Sequence, residues 1–264
     1  MTTDGAWPLR ARLEADGTVA NAWLSLSDPF VAEIVASQGW DAVTVDRQHG
    51  RPGPGTLWEL ALAITARGAS PMARISHLDV AEICHTLDAG FEGVICPMVN
   101  TPEDARALVH ACKYPPMGLR SFGPTRAALG RDGGFVAASD AGTVCLAMIE
   151  TRAGLDRLDD ILEVDGLDGV YIGPADLALS LGHPPALDDM TEATLELLEG
   201  IASRASRHGK VAGVHCSSAA YARSMSGLGF RLVTVGSDVR FLRAAGNATF
   251  KAWSEQTEAV AERT

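Results

Sequence analysis

The sequence predicts an α/β fold, a (β/α)8 TIM barrel built as a single domain over residues 1–264. Eight apolar runs of strand length alternate with helix-period segments, the pattern that surrounds a parallel sheet with helices. No Pro/Gly/Ser-rich linker divides the chain, and 264 residues is a length at which an α/β barrel closes as one unit. An open doubly wound sheet of the dinucleotide-binding kind would carry G-x-G-x-x-G after a strand, and that pattern is absent.

The first predicted strand, Val19–Leu26, leads into DPFVAEIVASQG, where Asp28 and Pro29 form an N-cap and first-turn pair and Gly39 supplies the C-cap. The second, Ala42–Asp46, precedes TLWELALAITARG, which ends at Gly68. The third, Pro71–Ile75, precedes DVAEICHTLDAG, which ends at Gly90. The fourth, Gly93–Pro97, precedes TPEDARALVHACK, opened by Thr101 and Pro102. One long irregular stretch follows, Lys113–Phe135, whose Pro, Gly and Arg content suits an ordered lid or a subunit contact, a plain surface insertion being the alternative. The remaining strands are Thr143–Glu150, Gly169–Ile172, Lys210–His215 and Leu232–Gly236, and the helical segment FLRAAGNATFKAWSEQTEAV follows them.

Composition removes several function classes. Asp and Glu number 33 against 22 Lys and Arg, a formal charge of −11. Nucleic acid and anionic membranes reward clustered cations, so neither is an expected partner. With 47% hydrophobic and 21% charged residues the chain has the material for a large core. Cys84, Cys96, Cys112, Cys145 and Cys216 are odd in number, scattered and never spaced C-x-x-C. They argue against a disulfide framework or zinc ribbon and for a reducing cytoplasm. The first residues lack an apolar signal core, and no apolar run reaches the roughly 18 residues a span requires, so neither targeting nor membrane anchorage is expected.

In this fold the reacting groups sit at the C-terminal ends of strands. The second strand delivers Asp46, Arg47, Gln48 and His49; the third Arg74; the fifth Glu150; the sixth runs through Gly173, Pro174 and Ala175 to Asp176; the seventh ends at His215 and the eighth near Asp238. Glu150 and Asp176 make a hard oxygen site suited to Mg²⁺ or Mn²⁺, unless each merely caps a helix or pairs with a rim arginine. Arg74, bracketed by apolar neighbours, is expected to turn inward, where it would stabilise charge developing on a carbonyl oxygen. His49 is a candidate proton shuttle with Asp46 orienting its ring or a water, a structural strand-end histidine being the alternative. The N–H groups at the Gly-Pro-Ala turn suit a substrate carboxylate. Schiff-base chemistry is disfavoured, because none of the three lysines, Lys113, Lys210 and Lys251, falls at a strand C-terminus.

The segments DRQHG, PMARI, GVICPMVNTPEDARALVHACKYPPMGLRSFG, MIETRAGLDRLDDILEVDGLDGVYIGPADLALSLG and VTVGSD resemble the metal-dependent (class II) pyruvate aldolases of the HpcH/HpaI aldolase/citrate lyase group, over roughly residues 18–245. The resemblance implies a phosphoenolpyruvate/pyruvate-type barrel in a homohexamer, a trimer of dimers that exchange the last barrel helix. It implies a divalent metal (Mg²⁺, Mn²⁺ or Co²⁺) on Glu150 and Asp176, with no organic cofactor. Pyruvate or hydroxypyruvate would chelate that metal, its carboxylate also held by N–H groups around Gly173, Pro174 and Ala175. Arg74 matches the arginine on the keto or enolate oxygen, and His49 with Asp46 matches the acid/base dyad, acting through water. The implied reaction is reversible aldol addition of a 2-oxo acid to an aldehyde; oxaloacetate decarboxylation or a macrophomate-synthase-like bond formation would use the same enolate, and a non-catalytic 2-oxo acid sensor is a third reading.

Two positions depart from the pattern: Gln48 stands where Glu often precedes the catalytic histidine, and Met148 where Gln often stands two before the metal-binding Glu. Neither removes a ligand, so activity is expected to survive with altered metal preference or donor tolerance. His215 stands where an apolar residue is expected near the aldehyde path, either bonding an aldehyde hydroxyl or serving as pocket wall. Arg120 and Arg126 are candidates for acceptor or neighbouring-subunit contacts.

Overall fold

The computed structural model describes residues 7–129, 131 and 134–261, so Gly130, Asp132 and Gly133 of the long irregular stretch lie outside the described residues. Strands β1 (Val19–Leu24), β2 (Ala42–Asp46), β3 (Ser70–Arg74), β4 (Gly93–Cys96), β5 (Val144–Ile149), β6 (Gly169–Ile172), β7 (Val211–His215) and β8 (Leu232–Ser237) close in sequence order into an all-parallel barrel. β2 and β6 keep their predicted bounds; the other strands differ by one or two residues at an end. The ends move for identifiable reasons. Pro97 has no N–H to extend β4, and beyond β1 the N–H groups of Ser25 and Leu26 donate to the Asp238 carboxylate instead of a neighbouring strand.

Strand periodicity sorts side chains between two cores. Val19 and Trp23 of β1, Met72 of β3, Leu146 and Met148 of β5 and Tyr171 of β6 point into the barrel. Their alternates, including Val43, Val45, Ala73, Val94, Ala147 and Val170, pack outward beneath the helices. The N-terminal end is plugged by a helix absent from the sequence-based expectation, Pro8–Glu14, which inserts Leu9 and Leu13 into the barrel. Its first turn is held by Glu92, whose buried carboxylate accepts from the Leu9 N–H at 2.9 Å.

The predicted helix boundaries have the predicted chemistry. Asp28 accepts from the N–H groups of Phe30 and Val31, and Thr101 forms a reciprocal capping box with Asp104. Gly39, Gly68 and Gly90 adopt φ of +92°, +82° and +96°, left-handed values at which a side chain would be strained.

The described residues of Lys113–Phe135 do not lie over the barrel mouth of their own chain. The stretch joins the helix Pro102–Cys112 to β5, and a helix-to-strand connection must run at the N-terminal end. Lys113 donates to the carbonyls of Asp140 and Thr143 there. Arg120, only 1% exposed at its side chain, pairs with Asp88 at 2.6 Å and covers the Tyr114 ring; Arg126 donates to the Ala89 carbonyl. This corrects the lid reading, and it removes Arg120 from any contact with an acceptor in its own barrel. Among the described residues, no helix is long and apolar enough to cross a membrane.

Gly213 leaves room for a neighbour. A Cβ there would lie 2.7 Å from Cδ2 of the buried Tyr171 ring. Gly213→Ala is therefore expected to lower unfolding stability by about 1–3 kcal/mol through overpacking, measured by urea titration.

Candidate active site

The C-terminal rim encloses a cavity of about 250 Å³, walled by Trp23, Asp46, Arg74, Met148, Asp176 and His215, with Gly173–Ala175 along one edge. A larger cavity, about 610 Å³, lies at the opposite end between Arg10, Lys210 and Arg231. Its cations already serve the fold. Arg231 donates to the carbonyls of Leu13, Ala15 and Gly17, Lys210 to Leu167, and Arg10 to Thr143 while pairing with Asp168. Chemistry is better sought at the rim.

Asp46 and Arg74 lie directly opposite each other in the β2–β3 register and both point inward. The Arg74 Nε–H and Nη2–H donate to the two Asp46 oxygens at 3.0 and 2.7 Å, a bidentate pair with little access to water. The guanidinium carbon sits 5.0 Å from the Trp23 ring centroid, adding a cation–π contact. Burial works to raise the Asp46 carboxyl, but the hydrogen bond and charge of Arg74, with the His49 N–H, outweigh it and hold the group below its ordinary value of 3.8.

In this arrangement Asp46 makes no hydrogen bond to the His49 ring, which leaves the alternative in which a water lies between them. The Asp46 carboxylate meets the backbone of its loop, Oδ1 accepting from the N–H groups of Gln48 and His49 at 3.1 and 3.3 Å. Both oxygens are otherwise taken by Arg74, whose fork matches a carboxylate better than one imidazole nitrogen can. The His49 side chain is exposed and not part of the cavity wall. Asp46 thus places the His49 loop without touching its ring.

Glu150 is buried just past the end of β5. Its Oε1 accepts from the Met98 N–H at 2.8 Å, and Met98 adopts a left-handed φ of +57°. A Cβ at Gly173 would come within 2.8 Å of Glu150 Oε2, so this glycine keeps the carboxylate open toward the cavity edge. Burial raises the Glu150 carboxyl above its ordinary value; the Met98 N–H opposes this and the Asp176 charge adds to it. Asp176 itself is exposed, in the first turn of the helix Pro174–Ser180. Pro174 offers no N–H, so the donors facing this edge belong to its neighbours.

A divalent cation fits this donor set. Two carboxylates share the edge, and the buried one is disfavoured as an anion by burial and by its neighbour, a penalty a cation relieves. Among the described residues no group of three or more His, Cys, Asp or Glu side chains is arranged to hold a metal. Substrate oxygens and water would therefore complete the coordination. The side-chain oxygen of Gln48 contributes nothing here, Oε1 being buried without a hydrogen-bond partner.

His215 lines the cavity, edge-on to Trp23 with ring centroids 4.8 Å apart. Burial, reinforced by the Arg74 charge, pushes its imidazole down to about 4, so the ring is neutral near pH 7. Asp238 belongs to the scaffold, as its carboxylate stitches β8 to the end of β1. Trp23, Leu187 and Ser237 also line the cavity and were missed. Trp23 was discoverable as an aromatic next to the end of the first strand; Leu187 lies in a loop with no such signal.

Fold and rim together are those of a barrel enzyme whose chemistry sits at the C-terminal ends of its strands. The family model for the HpcH/HpaI aldolase/citrate lyase family matches residues 20–245, and the chain belongs to that family. A hydroxypyruvate/pyruvate aldolase from Rhizorhabdus wittichii is 43% identical over 223 residues, 84% of this chain and 89% of that protein. A 2-keto-3-deoxy-L-rhamnonate aldolase from Salmonella gallinarum is 35% identical over 235 residues, 88% of this chain and 87% of its own length. The crystal structure of a family member from Burkholderia cenocepacia matches with a TM-score of 0.86 at 27% identity, covering 94% of this chain and 100% of that one.

The Asp46 shift has a sign that can be tested. A folded value below 3.8 means the Arg74 pairing contributes its full stability above that pH and loses it as the pH falls through the lower folded value. Asp46→Asn should cost about 3 kcal/mol near neutrality, because it leaves a buried guanidinium unpaired. The variant should also show a shallower loss of stability below pH 4 than the parent, read by denaturant titration across pH in the presence of chelator.

Proposed function

We propose that this chain catalyses reversible aldol cleavage and addition between a 2-oxo acid, pyruvate or hydroxypyruvate, and an aldehyde, with Glu150 and Asp176 holding the divalent cation. The observation that carries this reading is the Asp46–Arg74 fork. It uses Nε and Nη2 and leaves Nη1 for the cavity that also contains Asp176 and borders Glu150. The names of the two curated relatives support the choice of donor.

Proton removal beside a ketone is costly because the enolate is a strong base, so the enzyme must stabilise charge where it develops on oxygen. A bound cation, whether Mg²⁺, Mn²⁺ or Co²⁺, would supply Lewis-acid polarisation of the 2-oxo acid's carbonyl. Arg74 donates from Nη1 to the same oxygen, and Asp46 and Trp23 hold it there without reorganisation. N–H groups beside Gly173 and at Ala175 orient the substrate carboxylate, while Pro174 fixes the turn. His49 exchanges the proton through a water from its exposed place on the rim, since its ring lies outside the cavity wall. His215 meets the substrate hydroxyl. Met148, in place of an amide, leaves that side of the cavity apolar.

The assembly reading is a homohexamer with exchanged last helices. The helix Asp238–Ala261 leaves Leu242 and Phe250 largely exposed, and Leu119, Phe122 and Leu129 of the irregular stretch are exposed as well. Apolar surface of this kind favours burial against further copies. All five cysteines are free, consistent with a cytoplasmic setting.

Protein stripped with chelator should lose formation of 4-hydroxy-2-oxo acids from pyruvate and an aldehyde and regain it with added Mg²⁺, Mn²⁺ or Co²⁺. Arg74→Ala should lower kcat by about 10²–10³-fold, and His49→Asn should abolish donor proton exchange followed by NMR in D₂O. Metal-independent turnover, or turnover unchanged in Arg74→Ala, would overturn the assignment. Light scattering should give a mass near six times 27.7 kDa, falling when the chain is truncated within the last helix.

A further inference from the structure

A row of polar side chains crosses the barrel interior beneath the cavity. Thr44 Oγ1 donates to Asn21 Oδ1 at 3.0 Å, Asn21 Nδ2 donates to Thr234 Oγ1 at 2.8 Å, and Thr234 Oγ1 meets the Tyr171 hydroxyl at 2.6 Å. That hydroxyl lies 3.5 Å from His215 Nδ1. Asn21, Thr44, Tyr171 and Thr234 are all wholly buried. Polar groups in such a place cost stability unless each is satisfied. An apolar set of the same shape would fill the layer without that requirement, so the row calls for an explanation.

Its protons run in one direction. Asn21 already donates to Thr234, so if Tyr171 donated there too, the Thr234 hydroxyl proton would have no acceptor among the bonds of the row. Every hydroxyl proton is used when Thr234 donates to Tyr171 and Tyr171 donates to His215 Nδ1. Nδ1 is then the bare nitrogen of a neutral ring, and Nε2 carries the proton. No described residue takes up Nε2, and the ring lines the cavity. Trp23 holds the ring edge-on from one side.

We infer that the relay Thr44–Asn21–Thr234–Tyr171 sets His215 in the Nε2–H tautomer, making it a fixed donor to a hydroxyl oxygen on the substrate. This rests on the aldolase reading above for the substrate and deepens it. His215 is the specificity-determining residue, and Tyr171 and Thr234 are positioning residues acting through it. The hydroxyl belongs either to a 2-hydroxyaldehyde acceptor or to the 3-hydroxy group of the donor, and one set of measurements separates them.

The first measurement reads the tautomer without turnover. In full-length protein labelled with ¹⁵N-histidine, long-range ¹H–¹⁵N correlation at pH 7.5 should show His215, assigned by its loss in His215→Leu, with a bare Nδ1 and protonated Nε2. Tyr171→Phe and Thr234→Val should mix or reverse that pattern, and Thr234→Ser, which keeps the hydroxyl, should restore it. The second measurement compares kcat/KM for glycolaldehyde against propanal with pyruvate, and for hydroxypyruvate against pyruvate with propanal. In Tyr171→Phe one of the two ratios should fall about tenfold, the scale of one lost oriented hydrogen bond, while pyruvate with propanal stays within about twofold. The ratio that falls identifies which partner carries the hydroxyl. A protonated Nδ1 in the parent, or both ratios unchanged in Tyr171→Phe and Thr234→Val, overturns the inference. A parent with the expected tautomer but no turnover on any pairing overturns the aldolase reading instead, and the substrate half of this inference with it.

Discussion

The buried pairing of Asp46 with Arg74 is the constraint around which the rim is organised. Two charges taken from water into a barrel mouth are tolerated only when each finds its partner with good geometry. Parallel register supplies that geometry by setting the two residues opposite each other on adjacent strands. The same aspartate oxygen receives the Gln48 and His49 N–H groups, so the loop after β2 is shaped by the contact that orients the guanidinium. Trp23 from β1 covers the arginine and touches His215 from β7. One ion pair thereby fixes the relative positions of groups from four strands.

Across the cavity the balance is reversed. Glu150 and Asp176 have no basic partner among their hydrogen bonds, and against burial and the Asp176 charge Glu150 has the Met98 N–H and the more distant charge of Arg74. The left-handed conformation of Met98 is unfavourable for a non-glycine residue, and here it belongs to the backbone turn that supplies the N–H. The rim therefore has one side where charge is internally neutralised and one where negative charge is left in deficit of a cation. A neutralised arginine with a free N–H can receive charge developing on an oxygen. A pair of underneutralised carboxylates can bind a metal.

Much of the fold was legible because its signals are local. Capping pairs at Asp28 and Thr101 and left-handed glycines at 39, 68 and 90 carry their structural reason within a few residues. Strand ends were less legible, because what terminates β1 is a carboxylate more than 200 residues away, Asp238. The helix Pro8–Glu14 was missed for a similar reason: seven residues are too few to be stable alone, and it exists by plugging the barrel with Leu9 and Leu13. The irregular stretch was misread as a candidate lid, although topology alone sends a helix-to-strand connection to the opposite end. In the site, the strand-end positions of Asp46, Arg74, Glu150 and His215 followed from residue type and place. Their partners did not, since a sequence pattern places Asp46 near His49 but cannot show that Arg74 competes for the same two oxygens.

The interior relay shows why strand parity deserves more weight than strand ends in reading such a barrel. Inward positions recur every second residue, so Asn21 with Trp23, Thr44 with Asp46 and Tyr171 with Gly173 each place one residue at the rim and its partner one layer below. A polar residue in that lower layer has no solvent to turn to, and its only economical neighbours are other inward polar residues from adjacent strands. Asn21, Thr44 and Thr234 satisfy this by bonding across the neighbouring strands β8, β1 and β2, with Asn21 of β1 between the other two. Tyr171 reaches them from across the barrel because Gly213 leaves its ring room. Four strands thus contribute to a network whose one outlet toward the cavity is the nitrogen of His215, so the chemistry of the rim is set partly by a layer of the core that no ligand touches.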